Sequence, residues 1–347
     1  MQTHYKIKEI ISEDEWNAFN ASLEYSLFVQ SSRYIDFYKE TNEKGWIFGI
    51  YDEDTLIGGS VCVTVRAKRG SFLFLPYGPV LLDKYKGQSK EIYSALFYSL
   101  KELSKKEHLS FIRVSPFKKY AEETMIDFLS IGFKRAPLHI LAENTWLLDV
   151  SPSEEILFGN MKKNHRNLIS RCEREGVIVK RTKDSEGLKN LDRLLDITAK
   201  RHGFVRFSSS YISKEFHAFA DTNEAMIYEA YLPDGQLDSV AIIMRHGTMA
   251  AYRHSASLNI DKKLPTSYVL QWEVIKDAKK LGMKYYNFWG IAPAEAKENH
   301  PFYGITHFKK GFGGFDLDLI PCIDLPVNYK YWFSWIIETF RRIKRGF

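Results

Sequence analysis

Residues 226–290 read MIYEAYLPDGQLDSVAIIMRHGTMAAYRHSASLNIDKKLPTSYVLQWEVIKDAKKLGMKYYNFWG, and the order of elements in this stretch decides the fold. Met226 to Tyr231 has strand character, Pro233-Asp234-Gly235 turns the chain, and Ser239 to Arg245 is a second strand. His246-Gly247 turns again into a third strand, Met249 to Ser255. A long helix, Ser267 to Leu281, leads through Gly282 to the strand Tyr285 to Phe288. From Tyr285 to Gly290 every residue but Asn287 is apolar, aromatic or glycine, as expected of a buried strand.

The same order occurs upstream. A strand at Tyr5 to Ile10, a helix capped by Ser12 with Glu15 at capping-box spacing, and a second helix after Gln30-Ser31-Ser32 come first. Strands at Trp46 to Tyr51, Leu56 to Arg66 and Ser71 to Leu75 stop at Tyr77-Gly78-Pro79. An amphipathic helix, Gln88 to Lys106, carries Ile92, Leu96, Leu100 and Leu103 at helical spacing, and strands at Ser110 to Val114 and Thr145 to Val150 flank a shorter helix and Gly132. A length of 347 residues exceeds one ordinary core, so an internal duplication is the economical reading. Each half matches an N-acetyltransferase-like shape. The expected class is therefore α/β with mixed (α+β) sheets, in tandem GNAT-like domains at 1–150 plus 316–347 and 151–315.

Folds of this kind that take an acyl-CoA hold its pyrophosphate on a glycine-rich loop at a helix N-terminus. The corresponding segments here, Gly78 to Ser89 and Ser255 to Ser267, lack that loop, which disfavours a CoA thioester as donor. A net charge of +6 is too small for a dedicated duplex-DNA binder yet favours an anionic partner. Cys62, Cys172 and Cys322 form no CxxC pair, so no metal site and no disulfide framework is indicated, and a reducing cytoplasm fits. The N-terminus has no signal-peptide pattern, and no apolar run is long enough to span a bilayer.

Three segments carry candidate chemistry. In Thr306 to Gly314, THFKKGFGG, two lysines sit between aromatics, and three glycines would let backbone approach an anion; the alternative is a tight turn with solvated lysines. Met161 to Gly176 forms a basic helix, either solvated or touching phosphate, and a second helix, Leu188 to Arg201, precedes Arg206 and Tyr211. The tail, Tyr329 to Phe347, has aromatics first and cations last, which suits a helix at the inner face of a membrane; the competing reading is a helix docked back on the first half.

The chain resembles the Fem (FemABX) family of tRNA-dependent peptidyl aminoacyltransferases that build peptidoglycan bridges. The resemblance rests on Tyr25 to Ser31 with Tyr34 and Lys39, Tyr77 to Val80 with Asp83, the basic helix ending at Gly176-Val177, and above all Tyr286 to Ile291 followed by Phe308-Lys309-Lys310-Gly311-Phe312. Tyr77 stands where the family commonly has a basic residue, Asp83 and Lys39 are offset from their usual spacing, and the coiled-coil insertion of some members is missing.

The resemblance implies transfer from aminoacyl-tRNA to the side-chain amine of a stem peptide carried on a UDP or lipid pyrophosphate, by a monomer without cofactor. An ester is already activated, so no nucleophilic residue is required. The amine, with an unperturbed pKa near ~10.4, must lose a proton, for which Asp83 is the candidate. Lys309 would be the fixed cation for developing oxyanions, and Phe308 a platform for the terminal adenine. Lys39 and Arg206 would clamp the pyrophosphate across the domain cleft, with Tyr77, Tyr211 and Tyr252 lining it. The competing classes are a CoA-dependent N-acyltransferase of another envelope amine and a non-catalytic binding module. Calorimetry with acetyl-CoA separates the first of these: no binding is expected, and saturable heat would restore the thioester donor.

Overall fold

The computed structural model describes residues 4–68, 70–298 and 300–345, with the side chain of Arg345 left aside. The chain forms two compact units, residues 1–23, 29–143 and 318–347, and residues 24–28 and 144–317.

In the first unit, β1 (Lys6–Glu9), α1 (Glu13–Ser22) and α2 (Ser32–Glu40) precede β2 (Gly45–Asp52), β3 (Thr55–Ala67), β4 (Gly70–Tyr77) and the short β5 (Val80–Leu81). Helix α3 (Ser89–Lys106), β6 (Phe111–Pro116), α4 (Glu122–Ile131) and β7 (Lys134–Arg135) follow. The second unit runs β8 (Asn144–Asp149), α5 (Glu154–Gly159), α6 (Lys163–Arg174), β9 (Ile178–Thr182), α7 (Ser185–His202), α8 (Ser209–Ala220), β10 (Ala225–Tyr231), β11 (Leu237–His246) and β12 (Met249–Ser257). It ends with α9 (Thr266–Lys280), β13 (Tyr285–Gly290), α10 (Tyr303–Lys310) and β14 (Phe315–Asp318). The chain then returns to the first unit with β15 (Ile323–Pro326) and α11 (Tyr331–Arg345).

The first sheet has the order β1-β2-β3-β4-β6-β15-β7, with β5 on β3; the second has the order β14-β8-β13-β12-β11-β10-β9. Each contains an antiparallel meander followed by a helical crossover to a parallel neighbour, β4 to β6 through α3 and β12 to β13 through α9. This is the duplication expected of tandem GNAT-like domains. Strand β8 pairs with β13, so residues 144–149 belong to the second unit rather than the first, and the division falls at Glu143 instead of residue 150.

Local chemistry explains most boundaries. Ser12, Ser31 and Ser153 accept backbone N–H groups at the starts of α1, α2 and α5, and Gly132 closes α4 in the left-handed region with φ 105°. Ile92, Leu96 and Leu100 of α3 meet Leu73, Leu75, Ile112 and Val114 in the first core. Gln30 fills the place where β3 leaves β4, donating to the Pro76 carbonyl at 2.5 Å and accepting the Val61 N–H at 3.0 Å. Helices α7 and α8 both pack on strands of the second sheet.

On the first sheet, Arg113 of β6 is buried and paired at 2.8 Å with Asp324 of β15 and at 2.7 Å with Glu338 of α11. Removing one member of a buried charge cluster strands the others without compensation. Arg113→Ala is therefore expected to lower the unfolding free energy by about 3–5 kcal/mol. Lys39→Ala, which breaks the exposed pair with Asp36, is expected to change it by less than about 0.5 kcal/mol. Urea denaturation of both variants checks the contrast.

Candidate active site

In the second unit the parallel strands β12 and β13 pair only over Met249–Ala251 and Tyr285–Asn287, and then separate. The equivalent pair in the first unit stays paired along the whole of Phe111–Pro116. Asn287, the lone polar residue of its strand, explains the opening. Its buried Oδ1 accepts the Thr145 hydroxyl at 2.6 Å and the Trp289 N–H at 2.8 Å, across an irregularity in the pairing with β8. Trp289 is thereby held at φ 67°, a left-handed conformation that is costly for a residue with a Cβ and is kept only where its surroundings enforce it.

A bulge does similar work on the facing strand. His254 and Tyr252 oppose Ile242 and Ile243, so Arg253 is the extra residue, and Arg253 and His254 both reach Glu215 of α8. Arg253 binds Glu215 through Nε and Nη2, at 3.0 Å and 2.8 Å, and His254 Nε2 donates to it at 2.7 Å. Burial pulls the Glu215 carboxyl upward, but Arg253 and His254 outweigh it and hold the group at about 2. The Arg253 guanidinium lies over the rings of Trp289, Phe207 and Phe28 at 5.4, 5.8 and 5.9 Å, and Phe207 stacks on Tyr211 at 4.7 Å.

Lys309 stands beside this opening. The segment expected to be a turn is the end of helix α10, because Thr306 Oγ1 and the backbone bond back to the Phe302 carbonyl and close a helical turn. The helix carries Lys309 inward, 6% exposed, where Nζ donates to the Gly290 carbonyl at 2.5 Å, next to Trp289. Burial alone lowers its pKa to about 7. The fixed cation expected from the sequence is thus a group poised to gain or lose its proton near neutrality. An ammonium has three N–H donors, of which the Gly290 carbonyl takes one.

The glycines of this segment make room for protein rather than ligand: a Cβ on Gly311 would overlap the His165 ring, and one on Gly314 the Leu147 carbonyl. Phe308 is half-buried against Tyr268 and Phe312, with centroids at 5.0 and 5.2 Å, so its ring is a core contact. Of the basic helix α6, His165, Ile169 and Cys172 face inward, and Lys162, Lys163, Arg171 and Arg174 are exposed.

The other nominated residues sit as follows. Arg206 is held by Asp192 at 2.8 Å and Asp196 at 2.7 Å, so any phosphate it met would displace carboxylates. Tyr211 belongs to the aromatic group around Arg253. Tyr252 is half-buried against the second core, and burial pushes its phenol up. In the first unit, Tyr77 is buried with its hydroxyl on the Ala142 carbonyl at 3.0 Å. Asp83 lies at the surface, paired with Lys86 at 2.9 Å. Lys39 is exposed beside Asp36. Sequence reasoning missed Arg253, His254, Glu215 and Trp289. The available signal was Tyr252-Arg253-His254 inside an otherwise small and apolar strand, since charges there need buried partners.

The sequence profile of the FemAB family matches residues 11–238 and 234–339. The chain belongs to the FemAB family. Lipid II:glycine glycyltransferase of Staphylococcus aureus (strain USA300) is 21% identical over 314 residues, spanning 69% of this chain and 74% of that protein. Among solved structures, the crystal structure of FemX superposes with a TM-score of 0.83 at 18% identity, covering 96% of this chain and all of its own. A tandem GNAT protein from the clavulanic acid biosynthesis pathway gives 0.56 at 10% identity, covering 93% and 99%. Family and relatives together make the chain an aminoacyltransferase with a tandem GNAT-like fold. Among the described residues no helix is long and apolar enough to cross a membrane, and no His, Cys, Asp and Glu cluster could hold a metal ion.

The state of Lys309 is testable through stability. Its folded pKa is depressed from 10.5 to about 7, so within that window the unfolded chain binds more protons and stability rises with pH. Lys309→Met removes this dependence. Its stability relative to wild type is expected to grow as pH falls from about 10 to about 7, read by urea denaturation at several pH values; a gap independent of pH would mean an unperturbed lysine.

Proposed function

We propose that the chain moves an aminoacyl group from aminoacyl-tRNA to the side-chain amine of a peptidoglycan stem peptide carried on a UDP or lipid pyrophosphate. The observation that carries this reading is Lys309, buried at the end of a strand pair that has opened, with its Nζ on the Gly290 carbonyl. Its support from relatives is that a glycyltransferase named for lipid II aligns over most of both chains.

In the proposed reaction the amine nitrogen attacks the ester carbonyl carbon, a C–N bond forms, and the bond from that carbon to the ribose oxygen breaks. The proton lost by nitrogen ends on the ribose oxygen, so the products are an amide and a free hydroxyl. Charge appears first on the carbonyl oxygen and then on the leaving oxygen. A lysine whose pKa lies near 7 in the free site takes a proton most favourably when such an oxyanion is beside it, so its stabilisation is concentrated on the transition state. The aromatic group around Arg253 offers stacking surface, and Glu215 keeps that arginine oriented. Arg206 and Lys39 are proposed as phosphate contacts, each exchanging its present carboxylates for the ligand.

Transfer assays with a panel of charged tRNAs and muropeptide acceptors test the reading. Lys309→Met is expected to lower kcat by about 10²-fold or more while the protein stays folded. Wild-type-like turnover by the variant would remove the role of Lys309, and no transfer by wild type with any pair would overturn the reaction.

A further inference from the structure

Helix α11 is inside out. An amphipathic helix of a globular unit normally buries its apolar stripe. Here the inward residues are Tyr331, Ser334 and Glu338, all buried, and the helix is held by the Glu338 to Arg113 ion pair at 2.7 Å. Ser334 packs so closely on Gly70 that a Cβ there would overlap its hydroxyl, and Tyr331 meets Phe111 edge-on at 5.3 Å. Thus the helix does dock back on its own unit, but through its polar face.

The outward residues are Trp332, Phe333, Ile336, Ile337, Phe340 and Ile343, all exposed, with Phe333 at 66% and Phe340 at 69%. At about 100° per residue they occupy an arc of about 140°, an apolar stripe into which Lys344 also falls in the last turn. Apart from Glu338, the charges of residues 329–345 are of one sign. Lys330 precedes the helix, Arg341, Arg342 and Lys344 end it, and Lys134 lies 5.7 Å over the Trp332 ring. The lone acid of the segment 329–345, Glu338, is neutralised inside. A second copy docked on this face would bring the same cations, whereas an anionic lipid surface supplies both an apolar layer and counter-charge.

We propose that the outward face of α11 is a membrane-surface anchor that lies in the headgroup region of an anionic bilayer, with its aromatic and aliphatic residues in the acyl boundary and its cations on lipid phosphates. The anchor does not depend on the transfer reaction, so vesicle binding and activity succeed or fail separately.

The test is sedimentation of the full chain with vesicles of phosphatidylcholine alone and of phosphatidylcholine mixed with phosphatidylglycerol. Wild type is expected to bind the mixed vesicles at least about tenfold more tightly than the neutral ones, and to be released by high salt. The double variant Phe333→Ser/Phe340→Ser alters only exposed positions. It is expected to lose at least about tenfold in partitioning while its urea midpoint stays unchanged. Wild type that ignores anionic vesicles, equal binding to neutral ones, or a double variant that binds like wild type would each overturn the proposal. So would light scattering that finds a wild-type dimer which the double variant dissolves, since the face would then be a self-association surface.

Discussion

The pair of hydrogen bonds accepted by Asn287 is the constraint on which the second unit's chemistry depends. A strand of Tyr, Phe and Trp would otherwise continue its pairing, as the matching strand of the first unit does. By binding Thr145 and the Trp289 N–H, one buried amide oxygen ends the regular ladder, turns Trp289 into the left-handed region and sets the Gly290 carbonyl against the Lys309 ammonium. Burial brings the pKa of that ammonium to about 7, with the neutral Gly290 carbonyl rather than a carboxylate beside it. A carboxylate partner would have held the charge permanently and left little to gain when an oxyanion arrived.

The second unit buries its cations in two ways, Lys309 against a neutral carbonyl and Arg253 against a carboxylate. Around Arg253 and Arg113 each guanidinium is matched by carboxylates, Glu215 in one case and Asp324 with Glu338 in the other, so charge is kept and orientation is fixed. In the first unit that match also dictates which face of α11 points inward, and the apolar stripe is left outside as a consequence. Electrostatic need has overridden hydrophobic patterning there.

Much of the fold was legible because its determinants are local. Strand and helix order follows periodicity, and serine caps with a closing glycine fix the ends of α1, α2, α4 and α5. Helix α10 was not legible: it is short, includes Gly304 and ends at Gly311, and it is stabilised by packing of Phe308 and by His165 donating to the Phe308 carbonyl at 2.9 Å. Helix α8 was hidden by its serine-rich start, where Ser208 is in fact the cap. The placement of β8 beside β13 is a non-local pairing that no periodicity encodes. In the site, Lys309 was reached through the resemblance of its motif to the Fem family, while Glu215 pairs with Arg253 across 38 residues of sequence and a bulge, and neither feature leaves a local mark.

The central claim is that Lys309 is a buried lysine whose charge answers to an oxyanion in the opened sheet. An NMR titration of isotope-labelled lysine, followed at Lys309 with and without a phosphonate analogue of the tetrahedral aminoacyl adduct, measures this directly. The account predicts a midpoint near about 7 in the free protein that moves upward when the analogue is bound. A midpoint at the ordinary 10.5, unmoved by the analogue, would contradict it.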